Sequence, residues 1–207
     1  MKIQEMFPLQ FVINLRSRTD RLEQCKEEFK KINLDPRLFT ACEHEDPKMG
    51  CLNSHLALLR YASIFKQNIL IFEDDVEFIG ENSQEVIESA LDELSELDRF
   101  DMVYLGGNVL NNIYQMTTHL GRLTHCQSTH AYGVNVNFVD KLIADLENYQ
   151  NHIDVMYAWN VVPKNKCYIT IPMVAIQRAS YSDILKQEID YSVPMARYEH
   201  YLVRSDE

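Results

Sequence analysis

The 207-residue sequence predicts an α/β fold, a central mostly parallel mixed sheet flanked by helices. Two observations predict it. Apolar runs of strand length alternate with segments whose apolar residues recur every three or four positions, the pattern of βα units joined by right-handed crossovers. The most apolar run, "ILIFEDDVEF" (69–78), leads directly into Glu73, Asp74 and Asp75. Open parallel sheets hold their ligands at such carboxyl strand ends.

The elements follow in order. "LQFVINL" (9–15) reads as a buried first strand. "RSRTDRLEQCKEEFKKINL" then sets Leu22, Cys25, Phe29 and Ile32 on one helical face, with Ser17 or Thr19 as cap. "DPRLFTACEHEDP", with its two Asp-Pro dipeptides, is a loop around a short strand. "GCLNSHLALLRYASIFKQ" (50–67) is a helix that stacks Leu52, Leu56, Leu59 and Ser63. After the acidic strand, Asn82 and Glu85 form a capping box for a helix whose inner stripe is Val86, Ala90, Leu94 and Leu97. "DMVYLGG" (101–107) is another buried strand, and "THAYGVNVNFVDKLIADLENY" runs from a strand or turn into a helix. "KCYITIPMVAIQ" (166–177) is a strand stopped by Pro172. Residues 1–185 are expected to form one domain and 186–207 a polar tail whose structure the pattern does not define.

Composition narrows the function. A net charge of −11 and a pI near 5.1 leave no basic face for a phosphate backbone, which argues against nucleic acid. Five dispersed cysteines without a Cys-x-x-Cys pair read as free thiols of a reducing compartment. Neither a signal peptide nor a run of about 20 apolar residues is evident, so a cytoplasmic chain is expected, or one peripheral to a membrane surface.

Carboxylates at the end of a buried strand need a partner: a metal ion, an arginine, or solvent. Glu73 and Asp75 are two apart and face one way on an extended segment, with Asp74 opposite. Such a pair suits a hard cation, Mg²⁺ or Mn²⁺, that leaves room for phosphate oxygens. Neither a Gly-x-x-x-x-Gly-Lys loop nor a Gly-x-Gly-x-x-Gly turn follows the first strand, which disfavours P-loop kinases and dinucleotide oxidoreductases. Arg16, Arg18 and Arg21 follow it instead, guanidinium groups able to hold a diphosphate or simply to coat a helix.

Taken together, "VINLRSRTDR", "GCLNSHLALLR", "ILIFEDDVEF", "YLGG", "THAYGVN" and "IPMVAIQ…YSDI" resemble, in order, the motifs of glycosyltransferase family 25 over about residues 10–185. Gly50-Cys51-x-x-Ser54-His55 followed by Phe72-Glu73-Asp74-Asp75 is the most specific part. The family includes lipooligosaccharide and collagen galactosyltransferases. The resemblance implies a single GT-A-like nucleotide-sugar-binding domain, a UDP-sugar donor carrying galactose or glucose, Mn²⁺ or Mg²⁺, and inversion at the anomeric carbon. The acceptor would be a glycan, a lipid-linked glycan or a protein hydroxyl. It further implies that Asp75 and Glu73 ligate the metal, with Asp74 beside the donor. Asn14, Leu15 and Arg16 would line the nucleotide pocket, and Arg18 or Arg21 would back the phosphates. Ser54, His55 and Gln177 are expected near the donor, although His55 would serve equally as a buried helix histidine. Asp154 is the first choice for general base and Asp183 the second. His130 is read as a catalytic or a polar core residue, and Trp159 as a sugar-stacking or a packed one. The competing functions are a non-catalytic nucleotide-sugar or glycan-binding module and a metal-dependent phosphohydrolase.

Overall fold

The computed structural model describes residues 1–182, 187–191, 194–195 and 197–204. Along the chain run α1 (Ile3–Met6), β1 (Leu9–Asn14), α2 (Thr19–Lys31), β2 (Arg37–Thr40), α3 (Pro47–Phe65), β3 (Ile69–Glu73), β4 (Val76–Phe78), α4 (Ser83–Ser95) and β5 (Met102–Tyr104). Then come β6 (Asn108–Val109), β7 (Ile113–Gln115), β8 (Leu120–Leu123), β9 (Cys126–Gln127), β10 (Ala131–Val134), α5 (Val136–Leu146) and α6 (Ile153–Met156). A π turn (Tyr157–Val161) precedes β11 (Cys167–Thr170), β12 (Ala175–Gln177), β13 (Ser180–Ser182), β14 (Gln187–Ile189) and β15 (Leu202–Val203).

Nine of these strands form one sheet in the order β15-β7-β8-β11-β5-β10-β3-β1-β2. Only β10 and β8 run against the others, so the sheet is mixed and mostly parallel, as expected. Alternate residues of each strand feed two cores. Phe11, Ile13, Ile69, Ile71, Tyr104 and Tyr132 meet α3 and α5 on one face, while Val12, Leu70, Phe72 and Val103 meet α1, α2 and α4 on the other. Both faces are therefore covered, and the apolar run before Glu73 is apolar throughout for that reason. The chain leaves β1 towards β2 on one side and finds β3 on the other, so strand order reverses between β1 and β3. Ligands bind at such a switch point.

Local chemistry departs from the expected caps. Neither Ser17 nor Thr19 caps α2; Arg18 holds that position and makes no side-chain cap bond, and Arg21 joins Cys25 and Phe29 on the buried face. Asn82 precedes α4 but makes no cap bond, its backbone (φ −113°, ψ 27°) lying outside the extended region a cap adopts, and the neighbouring Ser83 hydroxyl donates to the carbonyls of Ile79 and Gly80. The inner face of α4 accordingly rotates to Ile87, Ala90, Leu91 and Leu94. α3 has a true cap, Asp46, which accepts from the Lys48 amide at 3.0 Å. Beyond residue 186, β15 pairs with β7 at the sheet edge, and Met195 and Tyr198 are buried in the α3–α5 core. All five cysteines are free, and no helix is long and apolar enough to cross a membrane among the described residues.

Candidate active site

The acids sit where β3 ends. Parallel pairing with β1 and β2 puts Asn14, Thr40 and Glu73 at the same sheet end. Antiparallel β10 begins there, so Thr129 and His130 arrive beside them. β4 pairs with β12, which brings Gln177 opposite Val76 and next to Asp75. This last contact depends on Gly106. A Cβ on that glycine would lie 1.7 Å from the Ala175 carbonyl oxygen, so no other residue lets the 105–107 backbone approach β12 so closely.

The three carboxylates have three different environments. Glu73 faces α3, where its Oε1 meets His55 Nε2 at 3.2 Å and accepts from the Thr129 hydroxyl. Burial alone would raise its pKa, but the bonds and charge of His55 together with Thr129 outweigh this and hold it below the usual value. Asp74 turns towards α2 and β1. Its Oδ1 accepts from Arg21 Nη1 at 2.9 Å and its Oδ2 from Asn14 Nδ2 at 2.7 Å. Burial still raises its pKa against those partners. Asp75 is 5% exposed. Gln177 Nε2 donates to its Oδ2 at 2.9 Å, while its Oδ1 is buried without a hydrogen-bond partner among the described residues. Burial first, then the charges of Glu73 and Asp74, push its pKa up to about 7. The nearest guanidinium nitrogen, Arg21 Nη1, is 3.9 Å away and already committed to Asp74.

Two adjoining cavities open over these acids. The larger, about 440 Å³, is lined by Ile13, Leu15, Ala41, Arg21, Asp75 and Arg178, among others. The smaller, about 350 Å³, is lined by Asn108, Gln127, Ser128, His152 and Asp154, among others. Cys51, Glu73, Gln177 and Tyr191 border both.

Asp154 stands in the first turn of α6, with Gln127 donating to Oδ2 at 3.1 Å and the Val155 amide to Oδ1 at 2.8 Å. Burial raises its pKa. The thiol of Cys51, one turn before His55, lies with the His55 ring and the Glu73 carboxylate in a group whose potential ligand atoms are within 4.8 Å of one another. Cys51 stands inside the most specific motif of the sequence, but sequence reading gave it no role at the site.

The structure thus gathers Leu15, Arg21, Ser54, His55, Glu73, Asp74, Asp75, Asp154 and Gln177 around the two cavities. Several expected ligands have other work. The Ser54 hydroxyl accepts from the Cys42 amide and donates to the Gly50 carbonyl, which ties the 41–44 loop to α3. Asn14 spends its amide group on Asp74 and on the Arg18 carbonyl, so it positions the acid. Arg16 is exposed and borders neither cavity, and Arg18, also outside both, pairs with Asp20. His130 is buried, and burial lowers its pKa to about 4, so it is a neutral core residue under Glu73. Trp159 is not packed but 56% exposed. Asp183 lies outside the described residues.

The family model of "Glycosyltransferase family 25 (LPS biosynthesis protein)" matches residues 45–157. No curated protein matches the chain. Among solved structures, it is similar to a glycosyltransferase involved in the glycosylation of the major capsid of PBCV-1, at 10% identity and a TM-score of 0.48, covering 78% of this chain and 81% of that one. It is also similar to mannose-1-phosphate geranyltransferase from Thermus thermophilus, at 10% identity and a TM-score of 0.44, covering 77% and 58%. The family match runs from the loop before α3, through the acids, to Tyr157 in the π turn, over half of the sequence. The chain therefore belongs to glycosyltransferase family 25 and is a glycosyltransferase.

Proposed function

We propose that this glycosyltransferase moves a hexose, galactose or glucose, from a UDP-sugar to a hydroxyl of a glycan or lipid-linked glycan, with inversion and with Mn²⁺ or Mg²⁺. The observation that carries the reading is the Oδ1 of Asp75, buried at the larger cavity with no hydrogen-bond partner among the described residues. Among the described residues Glu73 meets His55 and Asp74 meets Arg21, while Asp75 has no cation closer than 3.9 Å, and a buried carboxylate so placed is costly unless a cation enters. The donor set is all oxygen at Asp75 and Glu73, which fits a hard divalent ion.

When bound, that ion would supply countercharge for the departing nucleoside diphosphate. The remaining roles belong to side chains. Ile13, Leu15 and Ala41 offer an apolar wall to the nucleoside in the larger cavity, and Arg21 and Arg178 border its acidic side. Gln177 fixes one oxygen of Asp75 and leaves the other directed to ligand. In the smaller cavity Asp154 takes the proton of the acceptor hydroxyl. Gln127 and the Val155 amide hold it in place, and burial raises its affinity for that proton. The acceptor oxygen then forms the new bond to the anomeric carbon from the face opposite the phosphate, and the electron pair of the old carbon–oxygen bond leaves with the diphosphate.

A thermal-shift panel of UDP-, GDP- and CMP-sugars, each with and without Mn²⁺, tests this. The expected result is a UDP-hexose that raises the melting midpoint with Mn²⁺ and not with EDTA. A panel without any cation-dependent shift would overturn the reading.

A further inference from the structure

The only tryptophan in the sequence is spent on the surface. Trp159 lies in the π turn that extends α6, and its ring packs on His125 with centroids 5.0 Å apart and planes at 58°. An exposed indole held at a defined tilt is an apolar face kept open towards solvent.

Neither ring is part of the lining of the smaller cavity, but on two separate elements each follows or precedes a residue that is: Gln127 two positions from His125 and Val155 four from Trp159. His125 continues the ladder of β9, its carbonyl accepting from the Leu110 amide beside the Asn108–Gln127 and Val109–Cys126 pairs. Residues two apart share a strand face, so His125 lies on the side of Gln127, about 7 Å along, while Cys126 points into the core. Gln127 is the residue that holds Asp154. On the helix, Val155 lines the cavity and Trp159 follows four residues later, on the same face one turn on. Side chains in helices lean towards the N-terminus, which tips the indole towards Val155 and the cavity. π turns of this kind are frequent at functional sites.

We propose that Trp159, braced by His125, is the stacking platform of an acceptor-saccharide subsite next to Asp154. This deepens the transferase reading above and rests on it. A pyranose has one face of C–H groups, which covers an indole, and a rim of hydroxyls, which needs hydrogen bonds. The cavity beside Trp159 offers Asn108, Gln127, Ser128 and His152 for that rim. Trp159 would hold the acceptor ring so that one hydroxyl reaches Asp154.

Because Trp159 is the only tryptophan, its fluorescence reports this subsite with no label and no donor. The whole chain is titrated with methyl β-galactoside, lactose, maltose and cellobiose. At least one should move the emission to shorter wavelength and protect it from acrylamide quenching; silence across the panel would overturn the proposal. For the responding sugar, calorimetry should show about tenfold weaker binding to Trp159→Ala, about 1.4 kcal/mol, with partial recovery in Trp159→Phe. Equal binding by Trp159→Ala would overturn it too. The exposed position makes misfolding of either variant unexpected. A failed donor panel with an intact fluorescence response would sink the transferase details and leave the saccharide site standing. The reverse pattern would remove the subsite alone.

Discussion

Replacing Asp75 by Asn should stabilise the cation-free protein while abolishing its response to Mn²⁺. Asp75 has its pKa pushed from 3.8 to about 7 by burial and by the charges of Glu73 and Asp74. An acid with a raised folded pKa costs stability wherever the unfolded chain would ionise it. The cost is absent below 3.8, grows between 3.8 and about 7, and is constant above that. At neutral pH a shift of this size corresponds to a ceiling of about 4 kcal/mol. The amide keeps the Gln177 bond through its oxygen and puts an uncharged NH2 group where Oδ1 had no partner among the described residues. An amide is itself costly to bury, so a gain of about 2 kcal/mol is expected, which raises the midpoint of a chain this size by about 4–8 °C. The assay is thermal denaturation in EDTA at neutral pH and again near pH 4. The gain should be present in the first and vanish in the second, and Mn²⁺ should shift only the wild type. A midpoint that falls at neutral pH, or a gain that persists in acid, would refute the reasoning.

Other perturbations act on neighbouring contacts. Arg21→Met breaks the 2.9 Å pair with Asp74, both partners being nearly buried, and should cost about 3–5 kcal/mol in urea unfolding; a loss below about 1 kcal/mol would show the pair to be screened like a surface one. Asp154→Asn should slow transfer by about 10²–10⁴ with the donor-induced thermal shift preserved, and unaltered turnover would remove it as base. With the wild type, the rate should fall as pH drops through the raised pKa of Asp154, since the base must be ionised to accept the proton. Gly106→Ala sets a methyl against the Ala175 carbonyl, a backbone atom that cannot swing aside, and should destabilise by about 1–3 kcal/mol with weaker Mn²⁺ response as Gln177 leaves Asp75.

What periodicity could read in this sequence was the covered interior. β1, α2, α3, β3 and β11 appear where their apolar spacing puts them, because burial on one face or two writes itself into local order. Strand direction leaves no such trace. β10 reads as one more strand, and nothing local says that it runs against β3 and β5 and so delivers Thr129 to Glu73. β15 is two residues long in a polar stretch, and its pairing with β7 is made across nearly ninety positions. Arg21 was legible as a charge on a helix, and its burial was not, since the cause is Asp74, fifty-three residues later. The missed caps have the same origin. Asn82 is a cap residue by type, but its backbone leaves the extended region a cap needs, which the local sequence does not announce.

Asp74 and Asp75 show how far the site itself could be read. They are adjacent, identical in chemistry and both buried, and strand alternation, which sets Asp75 with Glu73 and Asp74 opposite, does not say how each is held. Their neighbours do. Asp74 meets Asn14 at the end of β1 and Arg21 in α2, so both of its oxygens are occupied and its charge is matched. Asp75 meets β12, whose Gln177 reaches one oxygen only. A residue with two satisfied oxygens is a brace, and one with a buried bare oxygen is a ligand in waiting. Exchanging the two environments would therefore exchange the roles. Gln177→Leu should raise the pKa of Asp75 further and weaken cation binding by loosening its aim, whereas Asn14→Leu should act through stability, leaving the cation response of the folded fraction intact. Thermal melts with and without Mn²⁺ separate these two outcomes, and a loss of cation response in Asn14→Leu as large as in Gln177→Leu would show that the acids act as one undivided charge.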